Sequence, residues 1–546
     1  MFKSDSKVYI PSIQQAVNPD VVSNVLPGQQ IRLNVPSFTG FINPQDSYLK
    51  FNLEITNARG RPVPDPSCGV HALFRNVLLR NGPNAITIEN AEDYNGMVSS
   101  LNHYTAQDSI EHLRELFSGV CANDNYPQAN LYYTANPEIA GTTQGNPAAN
   151  TKAATNVAIQ TRLQLGFLQN KVIPTQLLNG LRFTIDVEDA TRALRYLSTF
   201  GQNGTGTPTI AAELPINSDA RGAADAVTQG TVLVSGVGSS ALTMGDNPFD
   251  INDLLYVAGD DGSNEEVLGV VESFYAGAAG ALGINYAPQR LQGDTGSVVA
   301  FGIGSRIFYK PTDRTDGQTY LAVGDAADVG SNVLLPLSFV ISEMQYLAES
   351  VEPPEAYATG MMNAANSGQG FNMDFLTQEL HRFNQSNTIG ISQCQIPTTA
   401  TRCRSVVSVP VPVANYRDIN VNSFAGVADN ARNYQWVFGT SLQPSRQVEL
   451  SRYSQALVRP EPLHVSELQK SLININRSVY SLQKIQDHFL IGRAFSKYGQ
   501  VANLSTNTLS LRIDYTSAAT TQKVINSYVY HLRRLSVISG VLSVSS

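Results

Sequence analysis

Seven histidines are the residues most able to do chemistry in this chain: His71, His103, His112, His381, His464, His488 and His531. None forms His-x-His or His-Glu-x-x-His, the spacings that present two imidazoles to one metal. Cupin-type metal chemistry therefore has no support, and isolated histidines are expected in structural roles. The cysteines Cys68, Cys121, Cys394 and Cys403 are widely scattered and form no Cys-x-x-Cys pair. That spacing excludes a zinc knuckle and a disulfide scaffold, leaving free thiols in a reducing cell. Neither a Gly-x-Ser-x-Gly elbow nor a Walker loop occurs. Gly236-Val237-Gly238 and Gly302-Ile303-Gly304 are isolated Gly-x-Gly pairs and read as turns.

Two acidic segments could offer hard oxygen ligands to calcium: Asp260-Asp261-Gly262-Ser263-Asn264-Glu265-Glu266 and Asp313-Arg314-Thr315-Asp316-Gly317. Their spacing does not fit an EF-hand loop, and Asp-Gly is a hairpin-turn dipeptide, so they read as turns. Asn203, Asn384, Asn476 and Asn503 head Asn-x-Ser/Thr sequons, expected to be unused without a secretory signal. Arg533-Arg534 is a lone basic pair in a strand, expected in a salt bridge or an interface. No catalytic, cofactor-binding or metal-binding residue is expected, and no cofactor.

Composition agrees with a chain built for contact rather than catalysis. Of 546 residues only 15% are charged, and the net charge is −8. Ordinary soluble chains carry roughly 25% charged residues. A net negative chain is not built to coat nucleic acid. A sparsely charged surface suits protein–protein contact, because interface cores are depleted in charge. The start, Met1-Phe2-Lys3-Ser4-Asp5-Ser6-Lys7, lacks the apolar core of a signal peptide. No run approaches ~18 apolar residues, so no membrane span is expected.

Strict alternation marks the elements. Ile31, Leu33 and Val35; Leu49, Phe51, Leu53 and Ile55; Leu181, Phe183, Ile185 and Val187; and Leu509, Leu511, Ile513 and Tyr515 each alternate with polar residues. Each run predicts a half-buried antiparallel strand. Val407, Val409, Val411 and Val413 alternate too, with Pro410 and Pro412 suggesting an edge or strand end. Phe371, Met373 and Phe375 mark a further strand. Helices are predicted to be few and short: one capped by Asp108 or Ser109 and ended by Gly119, one over Asp189–Ser198, and one over Glu467–His488.

Four landmarks recur in one order. Phe74-Arg75-Asn76-Val77-Leu78-Leu79 is echoed by Cys403-Arg404-Ser405-Val406-Val407, and Tyr94-Asn95-Gly96-Met97 by Tyr434-Gln435-Trp436-Val437. Leu181-Arg182-Phe183-Thr184-Ile185-Asp186 is echoed by Leu511-Arg512-Ile513-Asp514, and Ser338-Phe339-Val340-Ile341 by Ser527-Tyr528-Val529-Tyr530. One β-fold used twice explains the order. Between the last two landmarks the first copy holds about 140 more residues than the second, which places an insertion at 195–332. That insertion opens on the linker-like Gly201-Gln202-Asn203-Gly204-Thr205-Gly206-Thr207-Pro208. It contains short strand candidates at Thr231–Ser235, Leu254–Val257, Val267–Val271 and Ser305–Tyr309. Without it each copy is about 180 residues, a normal size for one sandwich. Val351-Glu352-Pro353-Pro354 closes the first copy, with Glu352, Pro353 and Pro354 as the inter-domain linker.

The layout resembles the double jelly-roll major capsid proteins of DNA viruses, particularly those of virophages and Polinton-like viruses. The likeness rests on three segments. Phe41-Ile42-Asn43-Pro44-Gln45-Asp46-Ser47-Tyr48-Leu49-Lys50-Phe51 resembles the opening strand of the first roll. Lys171-Val172-Ile173-Pro174, leading into Gly180-Leu181-Arg182-Phe183, resembles a late strand. Ser342-Glu343-Met344-Gln345-Tyr346-Leu347, followed by Glu352-Pro353-Pro354, resembles the last strand and linker. The resemblance implies an all-β fold of two tandem eight-stranded jelly-roll sandwiches, with short helices in loops and a small β insertion in the first. Its divisions are an N-terminal arm at 1–30, a first roll at 31–352 interrupted by a tower-like insertion at 195–332, and a linker and second roll at 353–546. It further implies a virion structural protein, synthesised and assembled inside the host cell, whose homotrimeric capsomers of pseudo-hexagonal outline tile an icosahedral shell. Implied partners are further copies of the chain, minor capsid or penton proteins, and a host receptor at the insertion, with no sequence-specific nucleic acid. Two rivals are a β-sandwich spike or adhesin and a glycoside-active sandwich enzyme. The first predicts self-repeating shafts or a secretion signal. The second needs paired carboxylates in a groove, with Trp436 as the chain's one tryptophan.

Overall fold

A computed structural model gives the fold. It describes residues 12–105, 157–196 and 338–545 apart from 21–23, 38–40, 57–61, 66, 83–85, 171, 369, 388–389, 418–421, 451–460, 478–487, 496–500 and 516–520. Within 197–337 it describes 214–215, 230–234, 249, 253–258, 266–276, 282–291, 306–309, 319–322 and 331–333.

The first unit is built from β1 (Ser12–Val17), β2 (Gln30–Val35), β3 (Phe41–Thr56), β4 (Phe74–Asn81), β5 (Thr87–Ala91), α1 (Tyr94–Thr105), β6 (Val157–Thr161), β7 (Leu181–Val187) and β8 (Ser338–Val351). After the helix α2 (Glu355–Asn366) comes the second unit. It comprises β9 (Phe371–Gln385), β10 (Ile391–Ile396), β11 (Cys403–Pro412), β12 (Asn433–Phe438), β13 (Ser441–Glu449), α3 (Pro462–Ile473), β14 (Ile491–Ala494), β15 (Leu509–Asp514) and β16 (Lys523–Ile538). A final strand, β17 (Val541–Ser545), follows.

The strand order is the same in both units. The first pairs β1-β8-β3-β6 in one sheet and β2-β7-β4-β5 in the other. The second pairs β9-β16-β11-β14 and β10-β15-β12-β13. Counted within each unit, both read 1-8-3-6 over 2-7-4-5, with every pairing antiparallel. That wrapping is a jelly roll. The expected fold class, two tandem eight-stranded rolls with short helices between strands, is the one observed.

Alternation explains the cores. In β3, Leu49, Phe51, Leu53 and Ile55 are buried while Lys50 is exposed. In β2 and β7 burial alternates residue by residue. Phe183 of β7 meets Tyr346 of β8 at 5.0 Å between ring centroids, joining the two sheets of the first roll. The second core gathers Trp436, Tyr434, Leu511, Ile513, Val406, Ile525 and Val529. Between β7 and β8 lies a separate antiparallel sheet. Its strands include Gly230–Val234, Leu254–Ala258, Glu266–Ala276, Leu282–Leu291 and Arg306–Tyr309, which answer the four short strand candidates.

Several expectations need correction. Residues 1–30 are not an arm throughout: Ser12–Val17 pairs with β8 as the first strand of the roll. The segment from Phe41 is accordingly the third strand, not the opening one. Asp189–Ser198 holds one helical turn, Ala190–Ala193, followed by the strand Leu194–Tyr196, which pairs with Pro62–Pro64. The helix read over Glu467–His488 is Pro462–Ile473, started by Pro462 in its first turn. Two of the four echoes are out of register. Phe74 opens the fourth strand of its unit and Cys403 the third, while Tyr94 lies on α1 and Tyr434 on β12. The other two pair strand seven with strand seven and strand eight with strand eight. Pro410 and Pro412 sit in a strand flanked by β16 and β14. However, β14 reaches only Ser405–Ser408, so the prolines occupy a local edge. The Pro410 carbonyl there accepts the Val427 N–H at 2.9 Å. His103 falls on α1. The helix near Asp108, Cys121, His112, Asn203 and both Gly-x-Gly pairs lie outside the described residues, as does nearly all of the two acidic turns.

Candidate functional site: the seam between the two rolls

The chemistry of this chain is concentrated where one roll meets the other. The core of the first roll continues without a break into Phe375, Val407, Val409, Val411, Tyr528, Tyr530, Leu535 and Val537 of the second. The second roll's sheet β9-β16-β11-β14 thus serves two cores. Val406 and Val529 look into its own sandwich, and Val407 and Tyr528 look toward the first roll. Phe167, on a turn after β6, meets Phe375 edge-on at 5.2 Å. Gly166 beside it lies against β9 so closely that an added Cβ would sit 1.4 Å from the Leu376 carbonyl oxygen. Only glycine allows that approach.

At the centre is Asp93, fully buried between β5 and α1, with φ of 49° in the left-handed region. Asp tolerates that conformation better than most residues. Its N–H donates to Asn76 Oδ1 at 3.1 Å. Its Oδ1 accepts Arg192 Nη2 at 2.7 Å and lies 3.4 Å from Arg382 Nη2 of β9. Its Oδ2 accepts the Tyr528 hydroxyl at 2.6 Å. Arg192 also donates to Glu188 Oε2 at 2.6 Å, and Asn95 Nδ2 donates to the same oxygen at 2.9 Å. The Arg192 guanidinium lies 4.3 Å from the ring centre of Tyr416 and 4.8 Å from that of Phe424. Two carboxylates and two guanidiniums therefore balance in one cluster. Burial works to raise the Asp93 pKa, but Arg192 and Arg382 outweigh it and hold the carboxyl below its ordinary value. The Tyr528 hydroxyl is pushed well up, by burial first and by Asp93 next.

Glu89 of β5 makes a second crossing. It accepts the Gly166 and Phe167 N–H groups at 3.0 and 2.9 Å and the Thr377 hydroxyl of β9 at 3.1 Å. Burial pushes its pKa up to about 7 against those hydrogen bonds and the Arg533 charge. Arg533 donates to the Ile88 carbonyl at 3.0 Å, so half of the basic pair is an inter-roll contact. Its neighbour Arg534 grips Asp374 through Nε and Nη2 at 2.8 and 2.9 Å.

The histidines with described side chains sit in scaffold contacts. His71 Nδ1 lies 3.0 Å from the Tyr94 hydroxyl, and His464 Nδ1 lies 3.1 Å from the Tyr434 hydroxyl. The two rolls thus carry one Tyr–His pair each, with the tyrosine on α1 in the first and the histidine on α3 in the second. His488 accepts the Gly426 N–H at 3.1 Å, and His381 faces Glu379 at 3.2 Å. Cys68, Cys394 and Cys403 are buried free thiols. Among the described residues, no group of three or more His, Cys, Asp or Glu side chains is placed to hold a metal ion, and no helix is long and apolar enough to cross a membrane. Trp436 is fully buried in the second core, so it offers no sugar-stacking face. Glu352, Pro353 and Pro354 lie between the end of β8 and the start of α2.

Sequence reasoning singled out Arg533 but missed Asp93, Glu188, Arg192, Arg382 and Tyr528. The one available signal was local: Glu188 and Arg192 stand four apart, a spacing suited to an ion pair.

No family model and no curated protein sequence matches the chain. Solved structures do. The PBCV-1 protein VP54, as fitted into a reconstruction of the virophage Sputnik, is 8% identical, with 100% of this chain and 99% of that one covered and a TM-score of 0.48. The Faustovirus major capsid protein is 10% identical, with 98% and 92% covered and a TM-score of 0.45. The mavirus major capsid protein is 10% identical, with 100% and 92% covered and a TM-score of 0.35.

Proposed function

We propose that this chain is a structural virion protein, a major capsid protein whose homotrimers of pseudo-hexagonal outline tile an icosahedral shell. The observation that carries the proposal is the seam. The first roll presents β5, the start of α1 and the Phe167 turn to one sheet of the second roll. Because the second roll repeats the same strand order, it owns the matching presenting surface: β13 and α3. That surface exposes large apolar residues, with Leu442 47% and Ile473 54% accessible. The first roll in turn owns the matching receiving sheet, β1-β8-β3-β6, whose outward residues include Lys50, Asn52 and Glu54. One end of the chain can therefore receive what the other end presents. Such a head-to-tail contact closes into a ring when the rotation permits. Six rolls from three chains would give the hexagonal outline.

The chain's chemistry suits this task. Few charges need desolvation when faces meet. Many modest contacts stabilise a shell without any strong single site. In this reading the 195–332 insertion is a projection from the first roll that could meet a host receptor. Minor capsid or penton proteins fill positions a six-fold outline leaves open, and the protein acts without catalysis. Sedimentation velocity of the purified chain across a hundred-fold dilution tests the proposal. A trimer that persists supports it, and a persistent monomer overturns it.

A further inference from the structure

The end of the chain carries an unfinished sheet edge. β16 and β17 form a hairpin through Ser539 and Gly540, whose φ values of 49° and 74° give a tight two-residue turn. β17 lies along Arg534–Ile538, on the flank of β16 opposite β9. In the first roll the same flank of the last strand is occupied by the start of β3, where Phe41, Ile42 and Asn43 pair with Val351, Ser350 and Glu349. There the outer edge is closed. Ile42 and Ile173 exchange backbone hydrogen bonds at 2.9 and 2.8 Å, so a short extended segment seals it. In the second roll no described segment pairs with the outer edge of β17.

That edge also lacks the usual guards. Natural edge strands carry charges, prolines or bulges that block pairing. Residues 535–546, Leu-Ser-Val-Ile-Ser-Gly-Val-Leu-Ser-Val-Ser-Ser, hold no charge and no proline. Leu542 and Val544 pack toward the core, while Val541 at the tip is 67% exposed and Ile538 43%. Across a two-residue hairpin the residues flanking the turn share a hydrogen-bonded pair, so Val541, Ser543 and Ser545 aim their backbone groups at β16. The outward groups are then those of Leu542 and Val544.

We propose that β17 pairs antiparallel with β17 of a second copy of this chain, centred on Ser543, and so joins two capsomers across a two-fold axis. Centring on Ser543 sets Leu542 opposite Val544 of the second copy and the reverse, so every outward N–H and C=O finds a partner. Two identical strands meeting this way would bring any charge near its own like, which is unfavourable. An uncharged strand is what self-pairing requires. The contact is isologous and closes on itself.

The inference rests on the capsid proposal only for naming the joined particles as capsomers. The test is Ser543→Cys in the full chain, oxidised at the highest soluble concentration and in any assembled particles, then run on a non-reducing gel. At the centre of the pairing the two Ser543 Cα atoms would stand about 4.5 Å apart, within disulfide reach. The expected result is a covalent pair of chains that reduction separates. Wild-type protein and Ser545→Cys should give at least ten-fold less, since each Ser545 would be about 13 Å from its counterpart. Absent cross-linking, equal cross-linking from Ser545→Cys, or cross-linking only to a different protein overturns the pairing. The two proposals fail separately. Trimers without the cross-link refute the edge contact alone, and cross-linked pairs without trimers refute the ring alone.

Discussion

Replacing Asp93 with Asn should unlatch the two rolls. The carboxylate is fully buried, 2.7 Å from the Arg192 guanidinium and 3.4 Å from that of Arg382. Asn keeps the shape and tolerates the left-handed backbone at φ 49°, so strain does not confound the result. It also keeps an oxygen for the Tyr528 hydroxyl. What goes is the charge. Removing one partner from a buried pair costs about 3–5 kcal/mol, because the other is left uncompensated. Glu188 still faces Arg192 at 2.6 Å, which puts the expected loss near the low end, about 3 kcal/mol. Arg382→Gln is the internal control. Its side chain is 47% exposed, so the pair it makes with Asp93 should contribute under about 1 kcal/mol. The assay is urea unfolding followed by tryptophan emission, since Trp436 is the chain's one tryptophan and sits fully buried in the second roll. The pH dependence supplies a further check. The folded Asp93 pKa lies below its ordinary 3.8, so the stability it contributes is present above that value and is lost as pH falls through the folded pKa. The difference between wild type and Asp93→Asn should therefore vanish in strong acid. An Asp93→Asn loss no larger than that of Arg382→Gln would show that the ionic cluster does not hold the seam.

Glu89→Gln should flatten the pH dependence of stability. The folded carboxyl titrates at about 7 against an ordinary 4.5, so the folded state binds the proton more tightly than the unfolded chain. Stability should then fall as pH rises from about 5 to 8, by roughly 3 kcal/mol in wild type. Urea midpoints at both pH values measure it, and an unchanged slope in the variant would count against the assignment. Deleting 205–330 and rejoining the ends should leave a folded trimer by sedimentation, because Leu194–Tyr196 and β8 both belong to the first roll's surroundings. Loss of folding in both rolls would show that the insertion is part of their structure.

Alternation was legible in four strands with one wet face and a strong apolar period. β2, β3, β7 and β15 could be read directly, because water on one side and a core on the other impose a period of two. β1 was not readable. Ser-Ile-Gln-Gln-Ala-Val has only three apolar residues and stands between Pro11 and Pro19, so its place comes from pairing with β8 rather than from its own pattern. The repeat was visible in strands seven and eight, whose neighbours are alike in both rolls. It blurred elsewhere: Phe74 opens strand four but Cys403 strand three, and Tyr94 on α1 and Tyr434 on β12 come from different elements although each meets a histidine. The seam was invisible for a simpler reason. Asp93 and Tyr528 are 435 residues apart, and no local spacing foretells a contact that exists only once two rolls have folded and met.

The contrast between that seam and the free surfaces explains how one chain could be both rigid and assembling. Inside the chain the rolls share a continuous core and an ionic cluster whose Asp93, Glu188 and Arg192 are buried. Such a cluster is costly to form between separate molecules, since each charge must be desolvated on encounter. Covalent linkage removes that difficulty, because both halves arrive together. The outward face of the first roll's sheet β1-β8-β3-β6 instead shows Gln14, Asn52 and Gln345 among the charges of Lys50, Glu54 and Glu343. The matching surface of the second roll offers Leu442, Leu463 and Ile473, and its buried Glu467 is already paired with Arg493 and Lys470. Contacts of that kind are modest and reversible, which is the property a multivalent assembly would need. At the seam, buried charge sits in a contact that forms once, within a single chain.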